Sequence, residues 1–304
     1  MDKQRFENFD SNWFFANVTL DEIKQCLADG ANVNIRRQGF TPLHGAILFR
    51  CDPEIVTTLI EAGAQINAQT DNGETPLYCA AFENQPESAG LLLEAGAQIE
   101  LANKKGHTPL YICACRSEPE LATLLLAAGA NIDHRDSIEG NTLLHGAGYR
   151  CWYPEVIQTL VDAGADIHAR NEHGMVPLHK ATMSDNEEVE VVNAMLEAGA
   201  NPNHCNNDGQ TPLHFVRQHS SAAIAATLLA SGADPNHLDK DGNTPLHAAA
   251  EHGKLAQVIV DLIAAGADIA RGNNNGETAW DLARGNKHLQ NSAVLAKLVA
   301  ARRH

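Results

Sequence analysis

The chain is poor in the features that announce chemistry. Aromatic residues make up 5% of its 304 residues, and Lys and Arg number 22 against 38 Asp and Glu, for a formal net charge of −16. A field of that sign repels phosphates, so the composition argues against nucleic acid and against anionic membrane surfaces as partners. The simplest consequence of the acidity is solubility, and a sharper one is a preference for basic partners. No apolar run approaches the roughly 18 residues that would span a bilayer, and Met1 to Asn8 shows no charged-then-apolar leader. The seven cysteines are odd in number and lack metal-ligand spacing, since Cys113 and Cys115 do not form a CxxC pair. They are expected to be thiols in a reducing compartment, which with the missing leader points to the cytoplasm. No Pro/Gly/Ser-rich stretch stands out as a linker. The glycines recur singly instead of forming a phosphate loop, and no HExxH or nucleophile elbow is present.

What is present is repetition. Thr41-Pro42-Leu43-His44 returns about every 33 to 35 residues, beginning at Thr75, Thr108, Thr142, Val176, Thr211 and Thr244, and ending in the degenerate Thr278-Ala279-Trp280-Asp281. In the sample unit 72–105, Asn72-Gly73 marks a tight turn, Thr75 is placed to cap a helix, and Pro76 suits its first position. Leu77, Ala80 and Ala81 give a narrow apolar stripe that a neighbour can approach closely. Pro86-Glu87 opens a second helix, as Pro53-Glu54, Pro119-Glu120 and Pro154-Glu155 do elsewhere. That helix ends at Gly96, which with Gly30, Gly63, Gly129, Gly164, Gly199, Gly232 and Gly266 precedes Ala and reads as a left-handed cap. An extended arm leads to the next turn. No such unit buries its apolar face alone, so the chain is expected to stack its units.

These patterns, Gly-x-Thr-Pro-Leu-His-x-Ala and Leu-Leu-x-x-Gly-Ala-x-x-Asn, closely resemble those of the ankyrin repeat family over roughly residues 12–300. The resemblance implies an all-α ankyrin-repeat solenoid of stacked helix-turn-helix pairs with projecting β-hairpin loops. Its domain organisation would be a single domain over 1–304: an N-terminal capping repeat 1–37, seven full repeats over 38–274 and a C-terminal capping repeat 275–304. Both ends depart from the consensus, as exposed ends should. The first carries Trp13-Phe14-Phe15 and a capping-box helix from Thr19 to Glu22, and the last ends in Leu295–Val299 and Arg302-Arg303. Val176 replaces the capping Thr, and Ser184–Glu188 enlarges a connection, so residues 172–195 are expected to be the most mobile internal segment. Tyr78 and Tyr111 stand where the motif His should be.

Fifteen histidines invite a metal reading. The resemblance implies that His44, His145, His179, His214 and His247 bond locally to the turn and the capping Thr. His134, His204 and His237 fall on arms, where successive layers lie roughly 10 Å apart, too far to share an ion held at about 2.0 Å. No metal, cofactor or catalytic residue is therefore assigned. Cys26, Cys79 and Cys113 fall at apolar helix positions, where a thiol acts as a small hydrophobe.

The resemblance instead implies a non-catalytic scaffold that docks a partner protein through a concave groove and its hairpin loops, with the chain itself a monomer. Counting four or five residues on from the motif His or Tyr selects Leu48 and Phe49, Phe82 and Glu83, Cys115 and Arg116, Tyr149 and Arg150, Gln218 and His219, and Glu251 and His252, with Arg50 and Trp152 close by. The types concentrated in the first half, Phe, Tyr and Arg, are favoured at interface hot spots. The alternative for Phe49 and Phe82 is partly buried packing. Asp71, Asn72, Lys104, Lys105, Asp208 and Asp241 would form a charged rim. Asn34, Asn67, Asn203 and Asn236 match a position that an asparaginyl hydroxylase modifies in many such repeats, or are turn asparagines bonding their own backbone. Two other readings stay open: an enzyme with an unrecognised site in the groove, and a bacterial effector delivered into a host cell to bind a host protein.

Overall fold

A computed structural model describes residues 15–116, 118–151, 153–183, 189–216, 221–254 and 256–289. The described residues are helical, with no strand among them. The expected β-hairpins are closed turns instead: Asn103 donates to the His107 carbonyl at 3.0 Å and Gly106 to the Asn103 carbonyl at 2.9 Å. Two isolated bridges, Arg37 with Phe40 and Gly272 with Thr278, are the nearest approach to a ladder.

Each repeat contributes a first and a second helix. The first helices are α2 (Pro42–Leu48), α4 (Pro76–Phe82), α6 (Pro109–Arg116), α8 (Leu143–Arg150), α10 (Pro177–Met183), α13 (Pro245–His252) and α15 (Ala279–Ala283). In the repeat of Thr211 the described part of the first helix is one 3-10 turn, Pro212–Phe215. The second helices are α1 (Leu20–Ala28), α3 (Pro53–Glu61), α5 (Pro86–Glu94), α7 (Pro119–Ala127), α9 (Glu155–Asp162), α11 (Val189–Glu197), α12 (Ser221–Ala230) and α14 (Ala256–Ala264).

The chain forms two compact units. One comprises the described residues up to Ile138 with Asp162–Gly164, and the other runs from Glu139 to Val161 and on from Ala165. In the first unit α2, α4 and α6 pack in a row, and α1, α3, α5 and α7 pack in a second. In the second unit α8 packs on α10, α13 on α15, and α11, α12 and α14 on one another in turn. Each unit is thus two layers of helices, the arrangement that the small-residue stripe of the first helices requires.

Local chemistry sets the helix ends. Thr75 Oγ1 accepts from the Tyr78 amide at 3.1 Å, and Thr19 and Glu22 complete the expected capping box at 2.9 and 3.3 Å. At the other end, the Gly96 amide donates to the Leu93 carbonyl at 3.0 Å and the Ala97 amide to Leu92 at 2.9 Å. That pair of bonds closes the last turn around a glycine at φ 88°. The N-terminal aromatic stretch does part of what an end repeat needs: Phe15 is buried and lies over Gly45 of α2, where a Cβ would sit 2.5 Å from its ring. Trp13, Phe14, Ser184–Glu188 and the segment from Leu295 to Arg303 lie outside the described residues.

Successive repeats are tied together by side chains. Each motif histidine is buried, its Nε2 facing a carbonyl in the next turn and, in all but His179, its Nδ1 facing the preceding Thr hydroxyl (2.8 Å for His44). The partners of Nε2 are Glu74, Met175, Gln210, Asn243 and Glu277, at 2.8 to 3.2 Å. A carbonyl only accepts, so Nε2 carries the proton and Nδ1 accepts. Val176 has no hydroxyl, yet its amide still donates to His179 Nδ1 at 3.1 Å. Tyr78 accepts from Asn103 Nδ2 and Tyr111 donates to Asp136 Oδ2, both at 3.2 Å, so the two phenols reach the following turn as the histidines do. The arm asparagines bond not their own backbone but the next repeat. Asn34, for example, donates to the Gly63 carbonyl at 2.9 Å and accepts from the Gln65 amide at 2.7 Å. Asn67, Asn203 and Asn236 make the same pair of bonds.

Candidate interaction surface

Burial leaves the first helices little to offer except their ends. In α2, α4 and α6 every residue is buried up to Ile47, Ala81 and Cys115, and only the last positions are accessible. Cys115, counted among the groove-facing positions by its spacing from Tyr111, is 7% exposed and belongs to the packing. Leu48, Phe49, Phe82 and Glu83 are half-buried, and Arg50 is exposed.

In the first unit these ends are linked from repeat to repeat. Arg50, held at φ 52° after α2, sets its Nε 3.3 Å from Glu83 Oε2 and also donates to the Glu83 carbonyl. The guanidinium of Arg116 lies 4.0 Å from the centre of the Phe82 ring, a cation–π contact. Gln85 Nε2 donates to the Ile47 carbonyl at 2.6 Å, and Asn84 Oδ1 accepts from the Glu118 amide at 3.3 Å. Arg50, Phe82, Glu83 and Arg116 are therefore brought together pairwise, with Phe82 both a packing residue and an accessible one. Spacing alone had no means of finding the Gln85 and Asn84 bridges.

In the second unit Tyr149 is 42% exposed at the end of α8, with the exposed Arg150 guanidinium 5.7 Å from its ring centre. Glu251 and His252 end α13, both exposed, 3.3 Å apart. Trp152, Gln218 and His219 lie outside the described residues.

The turns form a second row. In the first unit Arg36 donates to the carbonyls of Gly39 and Gln69, the Lys104 amide to the Asn72 carbonyl at 2.8 Å, and the Ser137 amide to the Lys105 carbonyl at 3.2 Å. Lys104, Lys105, Asp71, Asn72, Asp208 and Asp241 are exposed at their tips. Ile138, 56% exposed in a turn, is a large apolar surface residue that the helix count did not select.

Burial pushes the thiols of Cys79 and Cys205 up and that of Cys51 to about 11, the reverse of an activated thiolate. Arm side chains do reach across the layer spacing, since Cys205 Sγ lies 3.1 Å from His237 Nε2 and the His168 and His204 rings are 5.0 Å apart. Even so, no group of three potential metal ligands converges among the described residues. The seven cysteines form no disulfide. No described helix is long and apolar enough to cross a membrane.

A family model described as ankyrin repeats matches the chain three times, over residues 49–136, 143–239 and 216–300. The crystal structure of the ankyrin repeat domain of Bcl-3, a member of the IkappaB protein family, superposes with a TM-score of 0.57 at 27% sequence identity. The match covers 75% of this chain and 100% of that one. In all, 566 chains of solved structures match, so the likeness identifies an architecture and not one activity. A search of curated protein sequences gives no match. Ankyrin repeats are in general protein-protein interaction modules, and with its matched segments spanning most of its length the chain belongs to the ankyrin repeat family.

Proposed function

We propose that the protein is a non-catalytic scaffold that holds a partner protein against its first-helix ends and turn tips. The observation that supports this is the distribution of accessibility along the first helices. Nearly every position is consumed by packing, and the accessible ends carry Arg50, Phe82, Arg116, Tyr149 and Arg150. Aromatic and arginine side chains combine large contact area with directional donors, which is why they dominate interface energetics. The buried thiols are small hydrophobes in this reading, which suits a protein working in a reducing compartment.

The test is partner capture on the intact chain, followed by affinity measurement with the purified partner. Arg50→Ala and Tyr149→Ala are each expected to weaken binding about tenfold, that is by about 1.4 kcal/mol, while leaving the melting temperature in place. A partner that binds both variants as tightly as the parent chain would overturn the reading.

A further inference from the structure

We draw no further inference here: the strongest candidate, the contact in the second unit between the arms of successive repeats that sets Cys205 Sγ 3.1 Å from His237 Nε2, joins one thiol and one imidazole with no third potential metal ligand among the described residues, and burial raises the thiol instead of activating it, so nothing marks it as more than a packing contact.

Discussion

The imidazole of His44 and the carbonyl of Glu74 lie 3.1 Å apart across thirty residues of chain. The bond fixes the proton on Nε2, and burial makes a second proton costly. Burial outweighs the bond to Glu74, which favours the charged ring, and pulls His44 down to about 4. Burial likewise pulls His179 to about 4 and lowers His247. The unfolded chain takes up these protons near pH 6.5, whereas the folded one resists until about 4. The stabilisation is therefore complete above 6.5 and is lost as pH falls through that window. A drop of that size corresponds to on the order of 3 kcal/mol for one buried histidine. The urea midpoint should fall steadily from pH 7 to pH 4.5, and less so in His44→Asn. A midpoint independent of pH in that range would count against the neutral, tautomer-fixed histidines.

The two tyrosines in histidine positions should differ in cost when truncated. Tyr111→Phe removes a donor to the buried Asp136 carboxylate, whereas Tyr78→Phe removes an acceptor from the amide of Asn103. Hydrogen bonds to charged groups contribute about 1.5–3 kcal/mol and neutral ones about 1, so Tyr111→Phe should lower stability more. Equal midpoints in denaturant would refute the ranking.

Glycines in turns and in helix caps should respond differently to alanine. Gly106 has φ 77° and a Cβ there would sit 2.5 Å from the Ser137 amide nitrogen, while Gly129 has φ 92° with nothing within 4 Å. Gly129→Ala should cost the left-handed strain alone, about 1–2 kcal/mol. Gly106→Ala must also push the next turn away, and its thermal transition should fall further.

Gly148 lets α8 meet α10, since a Cβ there would come within 2.7 Å of the Pro177 carbonyl oxygen. Gly148→Ala should destabilise by about 1–3 kcal/mol, as overpacking does, read as a lower urea midpoint.

Val176 is the one full repeat start without a hydroxyl. Val176→Thr restores the partner that His44 and its counterparts have in Thr41, Thr142, Thr211 and Thr244. A gain of about 0.5–1 kcal/mol is expected by the usual worth of a cap. A loss on calorimetry would show that the buried methyl outweighs the hydroxyl.

Helix register and caps could be read from the sequence because they are set by neighbours in the chain. Thr75 with Tyr78, and Gly96 with Leu92, lie within one turn of each other. The interaction surface was only half legible. Counting from Tyr111 placed Cys115 and Arg116 together, yet packing buries the thiol and leaves the guanidinium over Phe82. The destinations of Tyr78, Tyr111 and the arm asparagines depended on the backbone of the following repeat, whose position residue spacing does not specify.

The inter-repeat bonds from motif histidine to carbonyl, like those from arm asparagine to glycine, close loops of about thirty residues. A molecule held by such short-range ties has low contact order for its size, which favours rapid folding from whichever repeats first find each other. On the ribosome each finished pair of repeats can consolidate while the rest is still being made.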